Sequence, residues 1–92
     1  FGYSPLAFAV REEKQDIVRM LLEKEAEKQI GLKTKDGFTP FLIATCRSNV
    51  DTLELLLAKG DDIQAKNADG RNAMHLAVMN GQKAVVEFLL AK

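Results

Sequence analysis

The sequence contains no tryptophan, one cysteine and one histidine among its 92 residues. A single cysteine, Cys46, can form no internal disulfide, so packing alone must hold the fold, and an intracellular, cytoplasmic location is expected. Thirteen Lys and Arg balance thirteen Asp and Glu, which leaves no overall field to attract nucleic acid or an anionic membrane surface. Apolar runs such as 41–44 are far shorter than the roughly eighteen residues that span a bilayer. We therefore expect no nucleic-acid binding and no membrane insertion.

Groups that perform catalysis or bind metals are scarce as well. His75 and Cys46 lie in different parts of the chain, with no third group placed to complete a nucleophile and its base. The segment 67–70 is similar to a calcium loop, but Ala65 and Leu76 occupy two ligand positions. The glycines are single turn glycines, without the run and lysine that cradle a phosphate. We predict no catalytic residue, no metal and no cofactor.

The sequence repeats itself with a period near 33 residues. Three similar segments, each opening with a glycine, cover 2–9, 37–44 and 70–77. The opening glycines of the second and third segments are 33 residues apart, whereas those of the first and second are 35 apart. The chain is therefore built from three copies of one unit, and the first copy carries a two-residue insertion.

Each copy predicts two helices joined by a polar break. A hydroxyl residue followed by proline, as at Thr39-Pro40, can cap and start a first helix. The breaks at 11–14, 47–49 and 80–82 precede second stretches with apolar residues at helical spacing. Asp-Gly pairs between copies form tight turns. Because one hairpin cannot cover its own apolar face, the copies must stack, and the fold class is all-α, a solenoid of helix-turn-helix repeats with short β-turn hairpin loops.

The second helix of the first copy is predicted to be longer than its counterparts. Gly60 ends the second helix of the middle copy in the left-handed conformation, but Glu25 occupies the corresponding place in the first copy. Residues 23–29 are strong helix formers. We therefore predict that this helix continues to about Gly31, and an end near Lys24 would contradict the prediction.

The repeated residues match a known pattern. They are Gly37, Thr39, Pro40, Ala44, Leu53, Leu56, Leu57, Gly60, Asp62, Ile63 and Ala65 in the middle copy, and Gly70, His75, Ala77, Gly81, Val85, Val86, Leu89 and Leu90 in the third. This pattern resembles the ankyrin repeat, which runs Asp-x-x-Gly-x-Thr-Pro-Leu-His-x-Ala, a Gly-His break, a Val-Val-x-x-Leu-Leu helix and a Gly-Ala-Asp-Val-Asn loop. The resemblance implies one ankyrin repeat domain over 1–92, with repeats at approximately 2–36, 37–69 and 70–92, the last incomplete. Neither end carries a polar capping repeat, so we expect a part of a longer array.

The copies depart from the pattern at a few positions. Ala7 and Leu42 stand where the family has histidine, and residues 72–73 replace Thr-Pro. The usual bonding between hydroxyl and imidazole is thus incomplete in every copy, and we expect a stack less stable than an idealised one. His75 occupies the family's structural histidine position, where a hydrogen bond that braces the turn is expected.

The resemblance also implies a function. Similar proteins usually bind a protein partner with the turn tips and the exposed side of the first helices, which form the concave face. The residues at those positions are Tyr3, Arg11, Glu12, Lys35, Asp36, Phe38, Cys46, Arg47, Ala68, Asp69, Arg71, Met79 and Asn80. We expect a protein–protein interaction module with no enzymatic activity, whose partner is another protein.

The sequence leaves three questions open. Tyr3, Phe38 and Arg71 follow the turn glycines and are expected to lie side by side, either to anchor a partner or to pack on adjacent turns, with Arg71 stacked on Phe38. Cys46 is either a small filler, the favoured reading, or an exposed thiol. The array as a whole could instead target or regulate a larger enzyme, or self-associate through its uncapped apolar ends as a structural spacer.

Overall fold

A computed structural model describes residues 2–92, and for residues 26 and 27 the backbone alone. This part of the chain forms six α-helices and no β-strand. They are α1 (Pro5–Arg11), α2 (Gln15–Gln29), α3 (Pro40–Cys46), α4 (Val50–Ala58), α5 (Ala73–Met79) and α6 (Lys83–Leu90). The predicted all-α fold class is therefore confirmed.

The first helix of each repeat begins at a capping side chain. The Thr39 hydroxyl accepts a hydrogen bond from the backbone N–H of Leu42 at the start of α3. At the start of α5, Asn72 Oδ1 accepts from the N–H of His75 at 3.0 Å, and His75 Nδ1 accepts from the N–H of Asn72 at 3.2 Å. This reciprocal pair satisfies two N–H groups that a helix start leaves without partners. It confirms the turn-bracing role predicted for His75.

The helices stack in two layers. In one layer α3 packs between α1 and α5, and in the other α4 packs between α2 and α6. The middle repeat is accordingly the most deeply buried, with Phe41, Leu42, Leu53 and Leu56 fully enclosed. Burial of such side chains is the main favourable term in folding. With three repeats the molecule measures 31 × 25 × 21 Å, so it is only slightly elongated.

The turns between repeats are hydrogen-bonded hairpins without strands. The N–H of Thr34 donates to the carbonyl of Phe38 at 2.9 Å, and the N–H of Gly37 donates to the carbonyl of Thr34 at 2.9 Å. The next turn closes in the same way. The N–H of Ala68 donates across to the carbonyl of Asp36 at 3.0 Å. This bond fixes successive turn tips side by side, which places their exposed residues along one edge.

The extended helix of the first repeat is present, but it is not straight. Helical residues continue to Gln29, and Gly31 follows with a φ of 86°. The segment consists of two helices that meet at a kink, so the predicted length is reached, but not as the one continuous helix that was predicted. Glu25, however, interrupts the helix with φ −138° and ψ 25°. Beyond the kink, Gln29 Oε1 accepts from the N–H of Leu6 at 3.0 Å, and Gln29 Nε2 donates to Glu25 Oε1 at 2.9 Å. Gln29 thus satisfies the N–H of Leu6 in the first turn of α1.

Left-handed residues mark the breaks inside the repeats. Glu13, Ser48 and Gly81 have φ values of 57°, 56° and 64° and follow α1, α3 and α5. Only the third copy has glycine there, and side chains with a Cβ adopt this conformation at some cost. Gly60, with φ 99°, follows α4 in the conformation predicted for it.

Candidate protein-binding surface

The residues proposed from the sequence lie on the turn tips and at the carboxyl ends of the first helices. All thirteen are exposed except Phe38 and Cys46, which are half-buried. Exposure makes them available to a partner, but it does not by itself place them together. Their arrangement depends on how the repeats stack.

Six of these residues line one depression, which we call the repeat 1–2 groove. It has a volume of about 220 Å³ and is lined by Tyr3, Arg11, Thr34, Asp36, Phe38, Ile43, Cys46 and Arg47. Thr34 and Ile43 were missed by sequence reasoning. Thr34 belongs to the groove because it closes the turn that carries Phe38, and Ile43 because α3 packs against α1.

The two aromatic residues of the groove are held from different sides. The N–H of Phe38 donates to Thr34 Oγ1 at 3.1 Å, which fixes the residue at the turn. The Arg11 guanidinium lies 5.4 Å from the centre of the Tyr3 ring, and the Phe8 ring meets Tyr3 edge-on at 6.3 Å. Such cation–ring and edge-to-face contacts favour one orientation of each ring. The apolar walls of the groove are therefore preformed.

Charged side chains form the rim of the groove. Arg47 pairs with Glu13 across the repeats at 3.2 Å, and Arg11 pairs with Glu12 at 3.1 Å. Both pairs are about half exposed, and ion pairs of that kind contribute little to stability. Asp36 adds a carboxylate to the same depression. The guanidinium groups can therefore exchange their present partners for a carboxylate on another molecule at small cost.

Cys46 has features of both roles considered for it, a small filler of the core and an exposed thiol. Its side chain packs against the core and also lines the groove. Burial raises the pKa of the thiol, which keeps it in the protonated, unreactive form. Its backbone carbonyl accepts from Gln82 Nε2 at 2.9 Å, which ties the second repeat to the third. The geometry places Cys46 at the wall of the groove as an apolar surface.

The remaining residues proposed from the sequence do not join this groove. Arg71 and Met79 line a separate depression of about 360 Å³ on the third repeat. Glu12 lines another, of about 480 Å³, beside α1 and α2. Lys35, Ala68, Asp69 and Asn80 are not among the residues that line these three depressions.

The residues of the expected row of Tyr3, Phe38 and Arg71 do not all line the same depression. Tyr3 and Phe38 share the groove, whereas Arg71 belongs to the depression on the third repeat. Within residues 2–92, cations lie over the rings of Tyr3 and Phe88, and Arg71 does not stack on Phe38. The intramolecular stack considered for Arg71 is therefore not formed among the described residues.

Family comparisons agree with this architecture. The family model for ankyrin repeats in three copies matches residues 26–92, and the single ankyrin repeat model matches residues 1–34. The chain belongs to the ankyrin repeat family. Ankyrin repeats in general mediate protein–protein interaction, and they are typically non-catalytic modules. Among the described residues, no helix is both long and apolar enough to cross a bilayer.

Similar ankyrin repeat regions occur in proteins of different kinds. The chain is 33% identical over 88 residues to the fowlpox virus (strain NVSL) ankyrin repeat protein FPV031, and the match covers 95% of this chain and 26% of that protein. It is 36% identical over 78 residues to the Drosophila melanogaster transient receptor potential cation channel subfamily A member 1, covering 85% of this chain and 6% of the channel. It is 34% identical over 91 residues to the Drosophila melanogaster tyrosine-protein kinase Shark, covering 98% of this chain and 10% of the kinase. The chain thus spans about a quarter or less of the length of these relatives.

One departure from the ankyrin pattern places a carboxyl group in the interior. Asp61 stands where the loop pattern Gly-Ala-Asp-Val-Asn has alanine, a signal that sequence reasoning overlooked. It is only 8% exposed and lines a depression of about 530 Å³ together with Lys33 and Lys66. Its Oδ1 accepts from the N–H of Asp62 at 2.8 Å, whereas Oδ2 has no hydrogen-bond partner within the described part of the chain.

The buried position changes the titration of this carboxyl group. Burial raises the pKa of Asp61 from 3.8 to about 6, and the negative charge of Asp62 adds a smaller increase. The backbone N–H groups of Asp62 and Phe41 act in the opposite direction. No group of three His, Cys, Asp or Glu residues that could hold a metal ion occurs among the described residues. The raised pKa makes the charged form of Asp61 unfavourable in the folded chain and links the stability of the fold to pH.

Proposed function

We propose that this chain is a non-catalytic protein-binding module that receives its partner on the concave face and turn tips, centred on the repeat 1–2 groove. The observation that carries the proposal is the gathering of Tyr3, Phe38 and Ile43 beside two exposed guanidinium groups. Aromatic residues and arginine are the types that most often anchor protein interfaces. The groove therefore combines an apolar floor with a polar rim, as such interfaces do.

The dimensions of the groove favour a side chain of a protein as its occupant. Its volume of about 220 Å³ is smaller than the roughly 300–1,000 Å³ that sites for small molecules and cofactors occupy. One large apolar side chain of a partner suits this space. A carboxylate next to that side chain would meet Arg11 or Arg47 at the rim. The single half-buried thiol of Cys46 agrees with the proposed intracellular location.

The test is affinity capture followed by measurement of the dissociation constant. The wild-type chain and Phe38→Ala are immobilised, and the retained protein is identified and titrated against both by calorimetry. Leu32→Ala is the matched control, because Leu32 is an exposed apolar residue that does not line the groove. We expect Phe38→Ala to weaken binding by at least tenfold, while Leu32→Ala leaves it unchanged.

Two outcomes would contradict the proposal. If Phe38→Ala lowered the thermal stability but left binding intact, the ring would be a packing residue of the turn. If neither the wild-type chain nor the control retained a protein, the module would lack the proposed function. Circular dichroism of each variant separates loss of binding from loss of folding.

A second candidate function is a targeting or regulatory array within a larger enzyme. The similarity to a region of the tyrosine-protein kinase Shark, which extends over 98% of this chain, favours it. The array would then bind a protein through the same groove and deliver or regulate a catalytic domain elsewhere in the polypeptide. The complete coding sequence decides between the two, since this candidate requires a catalytic segment beside the array.

A further inference from the structure

The second repeat carries a carboxyl group where the first repeat uses a neutral amide. In the first repeat, Gln29 Oε1 accepts from the N–H of Leu6, the second residue of α1. In the second repeat, the carboxyl group of Asp61 interacts with the N–H of Phe41, the second residue of α3. Both side chains are 8% exposed. The end of each repeat thus contacts the start of its own first helix, once through a neutral group and once through a titratable one.

This contact does not require a charge. Both polar atoms of the Gln29 amide have partners, whereas Asp61 Oδ2 has none within the described part of the chain. A buried carboxylate with an unsatisfied oxygen is costly in free energy. The ankyrin pattern has alanine at this position, so the fold does not need the carboxyl group either. A residue that costs stability without a structural need points to a functional role.

The charges around Asp61 do not neutralise it. Lys33 and Lys66 line the same depression, yet neither forms an ion pair with Asp61 within residues 2–92. Lys33 Nζ donates instead to the carbonyl of Lys66 at 3.2 Å. Asp62 adds a negative charge, and neither α3 nor α4 contributes a charged residue to the depression. Binding a proton is therefore the direct way to remove the buried charge.

The loop that contains Asp61 joins the second repeat to the third. It covers residues 60–66, and its Lys66 carbonyl accepts from Lys33 of the preceding loop. In the turn that follows, the N–H of Ala68 donates to the carbonyl of Asp36 at 3.0 Å. The position of the loop therefore affects how the turn tips of the two repeats align. Such connecting segments open locally at a lower free energy than helices that form the core.

We propose that Asp61 is a proton-controlled latch, whose protonated form holds loop 60–66 closed on α3 and whose ionised form favours local opening of the loop. In the open loop the carboxylate is hydrated, so the cost of its burial is removed. The latch therefore loosens the joint between the second and third repeats as the pH rises.

The titration of Asp61 sets the pH range of the latch. Its pKa is about 6 in the closed loop and close to the ordinary 3.8 when the loop is open. The closed loop therefore binds more protons, and opening becomes more favourable as the pH rises through this window. The equilibrium constant for opening should increase by about tenfold from pH 5 to pH 7.

Amide hydrogen exchange followed by nuclear magnetic resonance measures this opening at single residues. Protection factors are determined from pH 5 to pH 7, after correction for the intrinsic pH dependence of exchange. We expect the protection of the N–H groups of Asp62 and Ala65 to fall by about tenfold. The N–H of Leu56, which is enclosed in α4, should keep a higher protection. Low urea concentrations should leave exchange in the loop unchanged, because a local opening exposes little surface.

Two substitutions in the loop make the test specific. Asp61→Asn stays neutral over this pH range and can still accept from the N–H of Asp62, so it should keep the protection of the loop constant. Asp62→Asn is the matched control, because Asp62 is exposed, and it should show the same tenfold fall as the wild-type chain. Asp61→Ala supplies a second variant that does not titrate, in case Asp61→Asn fails to fold.

Three results would overturn the proposal. The first is a loop protection that does not change with pH in the wild-type chain, and the second is an equal fall in Asp61→Asn. The third is a loop with the same protection and urea dependence as Leu56, because the loop would then open only when the whole chain unfolds. None of these measurements involves the repeat 1–2 groove, so they leave the proposed binding function untouched.

Discussion

Removing the buried charge of Asp61 should stabilise the fold at neutral pH. Its carboxylate is enclosed, its Oδ2 has no hydrogen-bond partner, and no ion pair is made to Lys33 or Lys66 among the described residues. Each unit of pKa shift corresponds to about 1.4 kcal/mol, so a shift from 3.8 to about 6 destabilises the charged folded state by roughly 3 kcal/mol. Asp61→Asn removes this charge and keeps an oxygen that can accept from the N–H of Asp62.

The sign of the pH dependence follows from the direction of the shift. Because the pKa of Asp61 is higher in the folded than in the unfolded chain, the folded chain binds more protons between about pH 4 and pH 6. The contribution of Asp61 to the free energy of unfolding therefore falls as the pH rises through this window, and it stays at its lowest above pH 6. The advantage of Asp61→Asn should be about 3 kcal/mol at pH 7.5 and close to zero below pH 4.

Urea denaturation measures this difference in the free energy of unfolding. Unfolding is followed by far-ultraviolet circular dichroism, because the chain has no tryptophan. The wild-type chain and Asp61→Asn are compared at steps from pH 4 to pH 8. Asp62→Asn is the matched control, since Asp62 is exposed and its removal should give no comparable gain. A stability difference that is independent of pH, or an Asp61→Asn variant that is less stable than wild type at pH 7.5, would refute the reasoning.

Two further substitutions test the backbone of the stack by the same denaturation assay. Ser48→Gly should raise the free energy of unfolding by about 0.5–1 kcal/mol, because it relieves a left-handed residue with φ 56°; an unchanged or lower value would contradict this. Gly37→Ala should lower the free energy of unfolding by more than about 2 kcal/mol, since its φ is 82° and a Cβ would lie 2.6 Å from the backbone nitrogen of Ala68. A Cβ at Gly60 would meet no atom within 4 Å, so Gly60→Ala should lower the free energy of unfolding by the smaller cost of backbone strain alone. An equal loss in both variants would contradict this prediction.

The fold could be predicted where its causes are local in the sequence. The repeat period, the capping residue Thr39 and the left-handed Gly60 each depend on neighbouring residues, and the structure confirms them. The kink at Glu25 was not predictable in that way. It accompanies the hydrogen bond from Leu6 to Gln29, which joins residues 23 positions apart. The run of helix-forming residues predicts how far helical residues continue in α2, but it carries no information about that distant contact.

The candidate site was predictable only as a set of positions. The resemblance assigned residues to the concave face, but it did not show that Tyr3 and Phe38 share a groove while Arg71 lies elsewhere. Ile43 was missed because its contribution depends on the packing of α3 against α1. Asp61 was visible in the sequence as a replacement of alanine, but its consequence depends on the burial that stacking produces.

The most direct test of the binding function is an amide chemical-shift comparison by nuclear magnetic resonance. Spectra of the isotope-labelled chain are recorded with and without the protein that affinity capture identifies. The proposed function predicts that the largest shifts cluster at the groove, in Tyr3, Arg11, Phe38 and Cys46. Shifts confined to α2, α4 and α6, with the groove residues unchanged, would contradict it.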